Sequence, residues 1–132
     1  MPAVNFKTQF AAPILAGQKP FTLRALRKDG RDPKAGDTLF MFTAMRTKQC
    51  RKFAEKPCRF AVTICLGWNL VAVPTFAPMN TPEKLELFSR LDGFDSYAAF
   101  CAFHEIKPGC TAKKMRLIAW VTRDELKGLF GL

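Results

Sequence analysis

The stretch Gly17-Gln18-Lys19-Pro20-Phe21-Thr22-Leu23-Arg24 decides how this chain arranges its polar residues. Gly17 suits the left-handed position that closes a helix, so residues from about Phe10 to Leu15 are expected to form a short helix ending there. Pro20 restricts Lys19 to an extended conformation, and a strand can follow over Phe21 to Arg24. Side chains alternate along a strand, which sets Phe21 and Leu23 on one face and Thr22 and Arg24 on the other. An amine, a hydroxyl and a guanidinium thus meet at the mouth of a strand. From spacing alone, a turn glycine, a solvated lysine and an ordinary strand threonine would give the same pattern.

Outward from that stretch the chain reads as mixed α+β. Ala35-Gly36-Asp37 turns into an apolar strand from Leu39 to Thr43. Phe60 to Leu66 and Leu70 to Val73 read as strands around Gly67, and Met115 to Val121 as a late one. Between them, Thr81 is a suitable N-cap with Pro82 at the first helical position, and Leu85, Phe88 and Leu91 recur at helical spacing until about Asp92. Ser96 can cap a second helix with Phe100 and Phe103 along one side, closed by Pro108-Gly109. His104 lies beside that side and reads as a packed or surface histidine rather than a ligand. Thr122 to Glu125 forms a capping box before Leu126, Leu129 and Phe130. Neither an internal repeat nor a low-complexity linker is visible.

At 132 residues with 48% hydrophobic content, 13 of them Phe, the chain is expected to be one domain over residues 1–132. Charged residues at 24% argue against disorder. Apolar runs fall short of the roughly 20 residues that cross a bilayer, and the start lacks a basic head followed by an apolar stretch. A cytoplasmic, non-membrane protein is the expectation. The 5 cysteines leave one over in any full pairing and include no CxxC, which disfavours a disulfide scaffold. With a single histidine and no closely spaced ligand pairs, no metal or other cofactor is expected. Cys65 and Cys101 read as small core hydrophobes, and Cys50 as a thiol on a basic loop.

Charge is placed unevenly. Residues 1 to 60 carry 13 basic and 4 acidic side chains, while the remainder is nearly balanced. The excess forms two clusters. Arg24, Arg27, Lys28, Arg31 and Lys34 lie among turn signals. Arg46, Lys48, Arg51, Lys52, Lys56 and Arg59 follow neither strand nor helix periodicity, so both clusters read as loops. A concentrated positive field attracts polyanions, of which nucleic acid is the leading case. An acidic protein is a further partner class, whereas the lack of an amphipathic basic helix weighs against lipid.

The segment Gly17 to Arg24 matches the GxKxxTxR pattern and so resembles the ASCH family. Gly36-Asp37 before an apolar strand, Leu91-Asp92-Gly93-Phe94-Asp95-Ser96 followed by Phe100, and Leu117-Ile118-Ala119-Trp120 resemble further elements of that family in the right order, over about residues 10 to 121. The resemblance implies a small PUA-like β-barrel with helices across its openings, and RNA, other nucleic acid or a modified nucleoside as ligand.

It also implies a possible chemistry. Some small bacterial ASCH proteins are N4-acetylcytidine amidohydrolases that use a lysine, a threonine and a glutamate. The first two roles fall on Lys19 and Thr22 and the acidic one on Asp92, one methylene shorter. Arg24 is then an anion binder, since its planar fork suits phosphate or a developing oxyanion, and Arg46, Lys48, Arg51 and Lys52 belong to a loop for backbone phosphates. The leading expectation is therefore an RNA- or nucleoside-binding module with a Lys/Thr/Arg pocket. A hydrolase at the same pocket, either amidohydrolase or ribonuclease, is an alternative, although a ribonuclease lacks a histidine pair here. A viral or mobile-element protein engaging an acidic host partner is the other alternative. Trp68, Phe53 and Trp120 are candidates for base stacking, with the core as their competing destination.

Overall fold

The computed structural model describes residues 2–132. Its strands are β1 (Ala3–Phe6), β2 (Phe21–Ala25), β3 (Thr38–Thr43), β4 (Arg51–Pro57), β5 (Phe60–Gly67), β6 (Leu70–Ala72) and β7 (Lys113–Ala119). Its helices are α1 (Ala11–Leu15), preceded by a 3-10 turn at Thr8–Phe10, then α2 (Pro82–Leu91), α3 (Tyr97–His104) and α4 (Arg123–Leu129). The strands form a three-stranded sheet in the order β1-β3-β4 and a four-stranded sheet in the order β2-β7-β5-β6. The α+β expectation holds.

Strand alternation stacks these elements in three layers. Phe21 and Leu23 of β2, with Ile64, Leu66, Leu117 and Ala119, pack against Leu85, Phe88, Phe100, Leu126 and Phe130 of α2, α3 and α4. The opposite face of that sheet supplies Ile118, followed by Trp120, which meet Val4, Phe6, Leu39 and Met41 of the smaller sheet together with Phe10 and Ile14. Thr22 lies in register with Ile118 and Arg24 with Arg116, so both point toward the smaller sheet, as the alternation of β2 requires.

The chain crosses between the sheets at Cys58–Arg59. There the Cys58 N–H donates to Asp37 O at 2.7 Å, continuing the β3–β4 ladder, and the Arg59 N–H donates to Ala119 O at 2.9 Å, continuing the β5–β7 ladder. On the other side no ladder joins β1 to β2 among the described residues. The strands therefore do not close into a hydrogen-bonded barrel, and a seam is left between two outer strand edges.

Helix ends follow local chemistry. The Thr81, Ser96 and Thr122 hydroxyls accept from the N–H groups of Lys84, Ala99 and Glu125, each cap contributing about 1 kcal/mol. Gly17 closes the α1 segment at φ +76°. Helix α3 stops earlier than Pro108-Gly109, because Glu105 takes the left-handed conformation at φ +58°. Two strands depart from the sequence reading. β1 was unanticipated, and β4 occupies half of the basic stretch from Arg46 to Arg59 expected to be a loop. β4 is the outer strand of its sheet and carries a register shift opposite Met41/Phe42, which breaks the apolar alternation that would mark a strand. No helix among the described residues is long and apolar enough to cross a membrane.

Candidate functional site

The β1–β2 seam opens into a cavity of about 210 Å³. One wall comes from Asn5, Phe6 and Lys7 at the end of β1, and another from Lys19, Thr22 and Arg24 in and before β2. Asp92, the C-cap of α2, and His104, the last residue of α3, close it from the helical side, with Phe10, Phe94 and Phe103 as aromatic lining.

Gly93 brings the end of α2 this close. It sits at φ +95°, and a Cβ there would stand 2.8 Å from Phe10 Cδ1 and 3.3 Å from Lys19 Cδ. Only glycine meets both conditions. On the opposite flank, the Trp120 indole N–H donates to Lys19 O at 3.0 Å, which fixes the backbone just ahead of β2. The GxKxxTxR segment is thereby pinned from both sides.

At the floor, Lys19 Nζ lies 2.6 Å from Asp92 Oδ1 and also donates to the Asp92 main-chain carbonyl. Both side chains are almost wholly enclosed, at 2% and 3% exposure. The shorter acid therefore reaches its lysine, because the helix terminus delivers carboxylate and carbonyl together. Burial pushes the Lys19 ammonium below its usual pKa, against the attraction of Asp92, and the neighbouring Arg24 cation adds to that push. Burial likewise lowers Arg24, with Asp92 opposing. The Arg24 guanidinium lies over the Phe6 ring at 4.7 Å, and Lys19 Nζ over the Phe10 ring at 4.9 Å. Three cations, Lys7, Lys19 and Arg24, thus line the cavity against one carboxylate, Asp92.

The four residues singled out around the motif, Lys19, Thr22, Arg24 and Asp92, come together in this cavity. The second basic cluster does not line it. Arg46 is nearest, sharing a neighbouring hollow with Asn5, which also borders the cavity. Lys48 lies in the β3–β4 turn and Arg51 and Lys52 on the outer strand, all exposed. Lys52 is engaged by Glu55 at 2.9 Å and lies over the Phe40 ring. Of the stacking candidates, Trp120 is buried and Phe53 packs edge-on against Phe6, while Trp68 is exposed beside Tyr97. The aromatic lining falls instead to Phe6, Phe10, Phe94 and Phe103. His104 is a packed histidine as expected, yet it also faces the cavity, its Nε2 3.7 Å from Asp92 Oδ2. That placement had no sequence signal, since helical spacing sets it only beside the apolar side of α3.

All five cysteines are unbridged. Among the described residues no group of three or more His, Cys, Asp or Glu side chains is placed to hold a metal ion. No protein-family model, curated protein or solved structure matches the chain.

Proposed function

We propose that this chain is an ASCH-like module, PUA-like in having two sheets curled about a shared interior, that takes a single modified base, free or within RNA, into the Lys19–Thr22–Arg24–Asp92 cavity. The observation that carries this reading is the convergence of those side chains, 73 positions apart between Lys19 and Asp92, on one enclosed space. Its volume of about 210 Å³ lies below the roughly 300–1,000 Å³ of sites for drug-sized ligands. It exceeds the ~150 Å³ that accommodates benzene, so one substituted six-membered ring is the fitting occupant. Flat aromatic walls with polar groups at the floor suit a base held by its faces and read along its edge.

Cations in hollows that adjoin the cavity extend the site toward a polynucleotide. Arg46 adjoins the cavity through Asn5, and Arg27 lines a second hollow that shares Asn5 and Arg24 with the cavity. Backbone phosphates are the natural partners of such flanking charges. RNA affinity should fall steeply with added salt. Arg46→Glu should flatten that dependence by about one counterion, more than Lys52→Glu does, since Lys52 is already paired. An affinity indifferent to salt removes the polynucleotide reading.

A second reading, an amidohydrolase at the same cavity, is favoured by the Lys19–Asp92 contact. Passing one proton across its 2.6 Å would leave a neutral amine beside a protonated acid, the two groups that an acyl transfer needs. The Thr22 hydroxyl would then attack the acyl carbon of an N4-acylated base and give its proton to Lys19. Arg24 would steady the oxyanion, and Asp92 would protonate the departing amine. Water, giving a proton to the Asp92 carboxylate so formed, would attack the threonine ester; the bond from the acyl carbon to Thr22 Oγ breaks, Lys19 returns its proton to Oγ, and the carboxylic acid leaves. Acetate release from N4-acetylcytidine that Thr22→Ala abolishes is the expected result. No turnover by the intact protein between pH 5 and 9 retires this version.

A further inference from the structure

Two enclosed side-chain polar atoms have no hydrogen-bond partner among the described residues, Arg24 Nε and His104 Nε2, and both residues line the same cavity. Leaving such an atom unsatisfied costs about 1–3 kcal/mol, and native proteins keep few of them. Two in one cavity point to a bound group that completes both.

The His104 ring has little freedom to find another partner. Its centroid lies 4.6 Å from that of Phe100, 5.1 Å from Phe103 and 5.9 Å from Phe94, and its side chain is 7% exposed. Its main-chain carbonyl accepts from Lys113 Nζ at 2.5 Å, which holds the end of α3 in place. Nε2 looks toward Asp92 Oδ2, but 3.7 Å is beyond hydrogen-bond reach. When the ring is neutral, a carboxylate at that distance favours a hydrogen on Nε2 over a lone pair there. Arg24 Nε is a donor by nature. The cavity therefore presents two enclosed N–H groups with no acceptor, beside a carboxylate already occupied on one oxygen by Lys19.

We propose that His104 is a specificity-determining residue: its Nε2–H donates to an acceptor atom on the bound ring, and a second acceptor is taken by Arg24 Nε–H. This rests on the nucleoside-binding reading above and sharpens it, because a ligand must then bring one acceptor to His104 and another to Arg24. A ring with a donor at either place leaves two hydrogens facing each other and is rejected.

The chain has one histidine, so a ¹⁵N-imidazole spectrum holds a single set of resonances, all from His104. With the ring neutral, the free protein should show the Nε2–H tautomer, and an Nδ1–H tautomer overturns the proposal. The spectrum requires no variant and no ligand. Titration with N4-acetylcytidine supplies the second arm. His104→Phe keeps an aromatic ring among its neighbours but removes the donor, and should weaken binding about tenfold or more with thermal unfolding near that of the parent. His104→Gln, which places an amide N–H near the position of Nε2, should stay within about threefold of the parent. If the phenylalanine variant binds as tightly as the parent, or the folded glutamine variant no better than the phenylalanine one, the proposal fails while the nucleoside reading stands. If the parent protein itself ignores N4-acetylcytidine, the nucleoside reading loses its probe, and the tautomer decides the matter for His104.

Discussion

Two lysine–carboxylate pairs sit on opposite sides of the smaller sheet. Lys19 and Asp92 touch at 2.6 Å with side chains 2% and 3% exposed, whereas Lys52 and Glu55 touch at 2.9 Å with 46% and 49% exposed. The atoms and distances are nearly the same, and the surroundings differ. On β4, water and salt solvate either partner once the contact opens, so little is gained by making it. In the cavity neither partner has an alternative, and each is tolerable only because the other is there. Proximity to charge does not make the inner pair special. Burial does, by setting Lys19, Asp92 and Arg24 where the charge of one acts on the next without water between them.

The strongest way to break this contrast is to remove one inner partner. Asp92→Ala strands an enclosed ammonium and should cost about 3–5 kcal/mol, lowering the Tm by roughly 10–20 °C. Part of the loss will be softened by Lys19 giving up its proton, the direction in which burial already pushes it. The double replacement Lys19→Met with Asp92→Leu exchanges the pair for apolar volume and should recover most of that stability while abolishing the proposed nucleoside binding. A double variant as unstable as the single one would mean that the pair itself, and not the stranded charge, supports the fold.

A smaller effect is expected where the backbone delivers the acid. In Gly93→Ala the added Cβ meets Phe10 Cδ1 at 2.8 Å and Cε1 at 2.9 Å, from a backbone held at φ +95°. Strain and displacement together should cost about 1–3 kcal/mol. Because Phe10 lines the cavity, any nucleoside affinity that the proposed function gives the protein should fall along with conformational stability. Loss of stability with affinity intact would show that the α2 terminus can shift without moving the site.

The contrast also explains what the sequence could reveal. Strand β2 and helix α2 were legible because alternation at Phe21 to Arg24 and the Thr81–Pro82 cap are local signals that tertiary packing here reinforces. Strand β1 is only four residues, Ala3–Phe6, too short for periodicity to rise above chance. β4 was hidden by being an outer strand: charged side chains protect its edge, and its register shift throws Phe53 out of step. At the site, Lys19, Thr22 and Arg24 share one motif, and Asp92 followed from the family resemblance. His104 had no such signal. Its place depends on the turn between α2 and α3 and on α3 ending at Glu105, and both are set by packing at a distance in the chain. The basic stretch was legible as charge but not as geometry, so only Arg46 among its named residues comes near the cavity.

The gentlest test lies on β4 and concerns whether the outer pair contributes anything. In a double-mutant cycle of Lys52→Ala and Glu55→Ala, followed by denaturant unfolding, the coupling should be about 0.2–1 kcal/mol at low salt and should fade toward zero near 1 M salt. Lys52 also lies 5.4 Å from the Phe40 ring centroid, so the single Lys52→Ala change can exceed the coupling by the packing of its aliphatic stem. That excess should survive salt, because dispersion and apolar contact are not screened. A coupling of several kcal/mol, or one indifferent to salt, would place this pair in the same class as Lys19–Asp92 and would mean that exposure fails to separate the two. A small screened coupling leaves burial as the property that separates the ion pair at the floor of the cavity from the one on the outer strand.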